Sequence, residues 1–158
     1  MTGQDIELQH IYLEVKAERW QCIERFLLPY FCFRHQYITQ QGKADWQKMR
    51  DKVASSDQVD DRKQAKLIPA IPHQTLIGKI KTLAHHQDFS LTSLEQLLAN
   101  YLSFVLISNA EYQTLKSLKL IDKMPVEWYR SRHQAPMARF THADIQFSTY
   151  HTDLIKVS

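Results

Sequence analysis

The residues best equipped for recognition chemistry lie between Lys116 and Arg139. Lys116, Lys119, Lys123, Arg130, Arg132 and Arg139 supply six cations against Asp122 and Glu127, and Trp128, Tyr129 and His133 stand among them. A guanidinium fork matches the paired oxygens of a phosphate or carboxylate. Exposed Trp and Tyr stack on nucleobases or anchor a protein interface. The expected binding set is therefore Lys116, Lys119, Lys123, Trp128, Tyr129, Arg130, Arg132, His133 and Arg139. The same composition also suits a segment that folds its rings onto the core and leaves the arginines in water.

Other chemistry finds less support. The chain has eight histidines. His85 and His86 are neighbours, and neighbours on a helix point about 100° apart, too far to grip one ion. His133, His142 and His151 have no Cys or carboxylate at ligand spacing. Cys22 and Cys32 lie in apolar surroundings and read as buried thiols, since a reactive thiolate needs an exposed, positive setting. No serine occupies a nucleophile elbow. Asp60 and Asp61 fall in a charged stretch, without the cleft that general acid–base work needs. Three glycines in the whole chain leave no Gly-rich phosphate loop. No catalytic residue, metal or cofactor is expected.

The elements that carry these residues follow from periodicity. Thr92 with Glu95, and Ser108 with Glu111, read as two capping boxes. Leu94, Leu97, Leu98, Tyr101, Leu102, Val105 and Leu106 recur at helical spacing, and Leu102 to Ile107 is apolar nearly all round. Ser90 to Met124 is thus expected to be a central αα-hairpin, its second helix carrying Tyr112, Leu115 and Leu118. Residues 5 to 28 predict a first helix with an apolar face too wide for one partner, broken by Pro29. A further helical piece runs to about Ile38. Ala44 to Ser55 predicts a short helix, Ser55 to Lys66 a mobile loop with almost nothing to bury, and His73 to His86 another helix. Leu67 to Pro72 is extended. Trp128 to Arg139 reads mainly as loop. Ile145, Phe147 and Thr149 alternate with polar residues, and Leu154 to Val157 is a candidate last strand.

The chain has 158 residues, 44% of them hydrophobic and 23% charged, which suits one globular domain spanning 1–158. Few glycines and prolines argue against an all-β fold. The fold class is therefore mainly α, a helical domain around the central hairpin with a short C-terminal β element. The first residues lack a signal-peptide pattern, and no apolar run approaches the ~20 residues needed to span a bilayer. The cytoplasm is the expected location, with no membrane partner. The net charge of +3 is small. Its distribution is uneven: Asp5 to Glu24 is acidic, and Tyr112 to Arg139 is basic.

Two functions fit. The first is a small intracellular interaction protein, an inhibitor, immunity-type protein or complex subunit of the kind bacteria and their mobile elements encode. It would act by protein–protein contact without catalysis. Its partner is another protein, with a homodimer through the first helix as a variant. The alternative is nucleic-acid binding, with residues 94–118 as a helix-turn-helix and 125–140 as a basic wing.

Overall fold

A computed structural model describes residues 1–148, and these are mainly helical, with one small sheet. The chain forms two compact units, each drawn from two separated segments. Unit 1 comprises Met1–Met49 and Leu76–Leu102; unit 2 comprises Arg50–Thr75 and the chain from Ser103 on. No helix among the described residues is long and apolar enough to cross a membrane.

Unit 1 is helical. Helix α1 (Gly3–Lys16) starts at a capping box in which Thr2 and Asp5 satisfy each other's backbone amides. The Asp5 carboxyl is held below its usual range, first by the Thr2 amide and then by the Thr2 hydroxyl. Its inner stripe, Leu8, Ile11 and Val15, is buried, and α1 packs on α2 (Glu24–Arg34) and α5 (Leu91–Tyr101). The ring of Phe33 crosses the first turn so closely that a Cβ on Gly3 would lie 2.5 Å from it, which makes Gly3 a packing requirement. The wide apolar face is thus only partly used: Ile6 and Leu13 remain exposed at 43% and 62%. Helices α3 (Trp46–Lys52) and α4 (His73–Ala84) each run from one unit's segment into the other's. Met49, Leu76 and Ile80 are buried side chains of the unit 1 core.

The first segment is two helices, and a 3₁₀ turn (Trp20–Cys22) separates them. Pro29 lies inside α2, not at a break. As the sixth residue of that helix it forgoes one intrahelical bond, the one its amide would have made to the carbonyl of Arg25.

Unit 2 is built on strand β2 (Phe104–Ile107). Every residue of β2 is buried. It pairs antiparallel with β1 (Lys66–Pro69), register Lys66 opposite Ile107 and Pro69 opposite Phe104. Its other edge is covered by the chain at Ala54 to Ser56, where Leu106 donates to Ala54 and accepts from Ser56. The expected αα-hairpin is therefore corrected: α5 ends at Tyr101, the chain runs extended through β2, and α6 (Asn109–Ser117) follows. A strand hydrogen-bonded on both edges and covered on both faces needs apolar side chains all round, and such a run imitates a buried helix. The short β element therefore lies mid-chain, at β1 and β2. Residues 145–148 form no strand, and the second candidate, Leu154 to Val157, lies outside the described residues.

Two local readings also change. The cap of α5 is Ser90 with Ser93, two residues earlier than Thr92 with Glu95, whereas Ser108 with Glu111 caps α6 as expected. The stretch from Ser55 to Lys66 is irregular, yet it buries Ser56 and Ala65 and is tied along its length. Asp57 donates its amide to Gln146 and accepts from Ser148, and Arg62 reaches the carbonyls of Arg50 and Val53.

Four helices finish alike. After α1, α2, α6 and α8 (Ala138–His142), the residues Glu18, Gln36, Lys119 and Asp144 take φ between 55° and 61°. In each case the next amide returns to a carbonyl five residues back: Arg19 to Glu14, Tyr37 to Cys32, Leu120 to Leu115 and Ile145 to Phe140. This is the Schellman ending, usually given to glycine. Here no glycine serves it.

Candidate binding face

The core of unit 2 gathers Val105, Ile107, Leu115, Leu120, Phe140 and Ile145. Over it, α6 and the loop 118–124 carry three of the expected cations. Lys116 lies in the last turn of α6, where the helix dipole favours a positive charge. Lys119 sits at the left-handed residue that ends the helix, and Lys123 lies in the bend beyond. Together with Tyr112, Ile121 and Asp122 they line a concavity of about 480 Å³, open to solvent. All three lysines are exposed, and none forms an ion pair among the described residues. Lys66 reaches one residue of this lining, its Nζ 5.3 Å from the centre of the Tyr112 ring. Lys66 and Tyr112 were not expected in this set. Lys66 is remote in sequence, and only the pairing of β1 with β2 brings it to the start of α6.

The remaining expected residues divide. Arg139 is not a surface group: it is 1% exposed. Its Nε donates to Ala70 at 3.1 Å, its Nη1 to Leu120 and Ile121 at 2.8 Å each, and its Nη2 to Pro69. Burial pulls its guanidinium down to about 10, a drop that the charges of Asp122 and Tyr112 oppose. A buried cation with carbonyl partners alone binds strands and loops together. Trp128 is also buried, at 4%, with its indole N–H on the carbonyl of Ala135 at 2.9 Å. Both are corrections to the expected binding set. The apolar ring of Trp128 covers the core more favourably than it would face water, and its one donor finds a carbonyl.

Tyr129, Arg130, Arg132 and His133 do stand at the surface. The loop expected here contains two short helices, α7 (Val126–Arg130) and α8. Tyr129 is 50% exposed, and its hydroxyl accepts the amide of Met124 at 3.0 Å. The loop 118–124 is thus gripped from within by Arg139 and at its far end by Tyr129. The lysines on it are displayed by a fixed backbone.

The helix-turn-helix expected over 94–118 is absent, because β2 stands between α5 and α6. The basic wing expected at 125–140 is replaced by α7, a turn closed by Ser131 and His133, and α8. Among the described residues no three of His, Cys, Asp or Glu come together as a metal site. Cys32 is buried against Met49 and its thiol is pushed up to about 11, chiefly by burial, with Asp45 adding to the effect. Cys22 is partly exposed, contrary to expectation, with an Arg19 N–H 3.4 Å from its sulfur.

Comparison of the chain with protein-family models, curated proteins and solved structures gave no match.

Proposed function

We propose that the protein works by contact, as a small interaction protein whose unit 2 presents a basic face to an acidic protein partner. The observation that carries this reading is the convergence of Lys116, Lys119 and Lys123 around one concavity formed by α6 and the clamped loop after it, with Lys66 against the Tyr112 ring of its lining. Like charges repel, so several unpaired cations in one depression lower the stability of the free protein and favour an anionic partner. Tyr129, Arg130, Arg132 and His133 extend the set with a ring and planar donors suited to an interface. Arg139 and Trp128 leave the contact list and serve as its foundation.

The test is affinity capture with the intact chain, wild type against Lys116→Glu/Lys119→Glu/Lys123→Glu. A stoichiometric acidic partner should be retained by the wild type and by Lys48→Glu on α3. The triple variant should bind it at least roughly tenfold more weakly. Equal capture by all three proteins would refute the reading. Retention of nucleic acid instead, released steeply by added salt, would move the same face to the other class of partner.

A further inference from the structure

The loop beneath the lysines has a backbone polarity that Arg139 imposes. One guanidinium nitrogen holds the carbonyls of both Leu120 and Ile121 from the buried side. Among the described residues no peptide is cis, and in a planar trans peptide the N–H points opposite to the C=O. The amides of Ile121 and Asp122 must therefore point away from Arg139. Neither donates a hydrogen bond among the described residues. Ile121 and Asp122 line the concavity that Lys116, Lys119 and Lys123 rim. Two successive free amides facing one way form the kind of backbone concavity that holds an oxyanion.

We propose that this concavity is an anion seat for one phosphate group, received by the Ile121 and Asp122 amides and neutralised by Lys116, Lys119 and Lys123. The proposal rests on the basic-face reading above and gives that face a ligand chemistry. Lysine suits phosphate as a mobile point charge, while the two amides supply direction. The α6 terminus does not cancel the site, because the carbonyls of Thr114, Leu115 and Lys116 are already occupied by the amides of Leu118, Leu120 and Lys119. The Asp122 carboxylate is the one negative group in the lining, and it sets a ceiling on affinity.

The experiment is an amide NMR titration of the whole chain with inorganic phosphate and, separately, with an otherwise neutral phosphoserine peptide, against chloride at equal ionic strength. The Ile121 and Asp122 amides should shift together and saturate with at least one of the two phosphate probes. The tighter of the two identifies the source as free or protein-borne. Lys116→Gln/Lys123→Gln should weaken binding roughly threefold to tenfold, and Asp122→Asn should tighten it, with the amide spectrum otherwise unchanged. Shifts no larger than those with chloride, or an Asp122→Asn variant that binds no tighter, would overturn the proposal. If charge reversal abolishes protein capture while these amides ignore both probes, the basic face stands and the phosphate seat falls.

Discussion

Arg139 Nη1 donates to the carbonyl of Leu120 at 2.8 Å, from a side chain with almost no exposure. The bond joins α8 to the loop after α6, and the same guanidinium also serves Ala70, Pro69 and Ile121. Arg139→Met keeps the stem but leaves four carbonyls without this donor. The loss should be about 2–4 kcal/mol, since each orphaned buried acceptor is costly while removal of the buried charge gives part of it back. Arg139→Lys should recover only some of that, lacking the planar fork. Urea unfolding midpoints decide it; a Met variant as stable as the wild type would remove Arg139 from its structural role.

Lys119 offers the opposite prediction. Its φ of 59° is a conformation that suits glycine. Lys119→Gly should stabilise the fold by about 0.5–1 kcal/mol, a rise of about 1–4 °C in Tm. It should at the same time weaken binding at the basic face. Lys116→Gly, within α6, should instead destabilise by about 1 kcal/mol. Calorimetry of the two variants side by side reads both signs.

His35 makes the fold sensitive to acid. Its ring lies against Phe31 at 4.3 Å and Tyr37 at 5.7 Å. Burial, with Arg34 adding to it, holds its pKa down to about 4 from an ordinary 6.5. The unfolded chain thus takes up a proton in a range where the folded chain does not. The stability from neutral His35 is complete above about 6.5 and is lost as pH falls toward about 4. For a partly exposed ring the loss should be on the order of 1–2 kcal/mol. His35→Phe should flatten that part of the stability profile, and an unchanged slope would contradict the assignment.

The two thiols should separate cleanly. In the folded chain a neutral thiol reagent should modify Cys22 and spare Cys32, whose buried thiol is held protonated. Denaturant should expose the second. Equal reaction of both in native buffer would place Cys32 nearer the surface.

Helices with caps or one apolar stripe were legible in the sequence. Ser108 with Glu111 marks the start of α6, and Leu76, Ile77 and Ile80 mark α4. The mainly α class followed from the same signals; a short β element was expected from the alternation at Ile145 and Phe147, whereas the sheet is formed by Lys66–Pro69 and Phe104–Ile107. Helix ends were harder, because Glu18, Gln36, Lys119 and Asp144 stand where glycine would announce them. The β2 strand was hidden by its own burial: Phe104 to Ile107 faces protein on every side, so the alternation that marks a half-exposed strand never arises. Of the expected binding set, the three lysines do share one concavity, since α6 and its terminus place them there. Trp128 and Arg139 have the composition of a surface hot spot, and only tertiary contacts with Ala135, Ala70 and Leu120 reveal them as interior.

The interleaving of the two units orders their assembly during translation. Every segment of unit 1 has been synthesised once Leu102 leaves the ribosome, so that half can collapse early. The Lys66–Pro69 strand emerges before its partner exists, and its edge stays open until Phe104–Ile107 arrives. A pause in elongation that holds the chain with Leu102 just outside the ribosome would therefore prolong the interval in which a nascent chain carries one finished half and one unpaired strand.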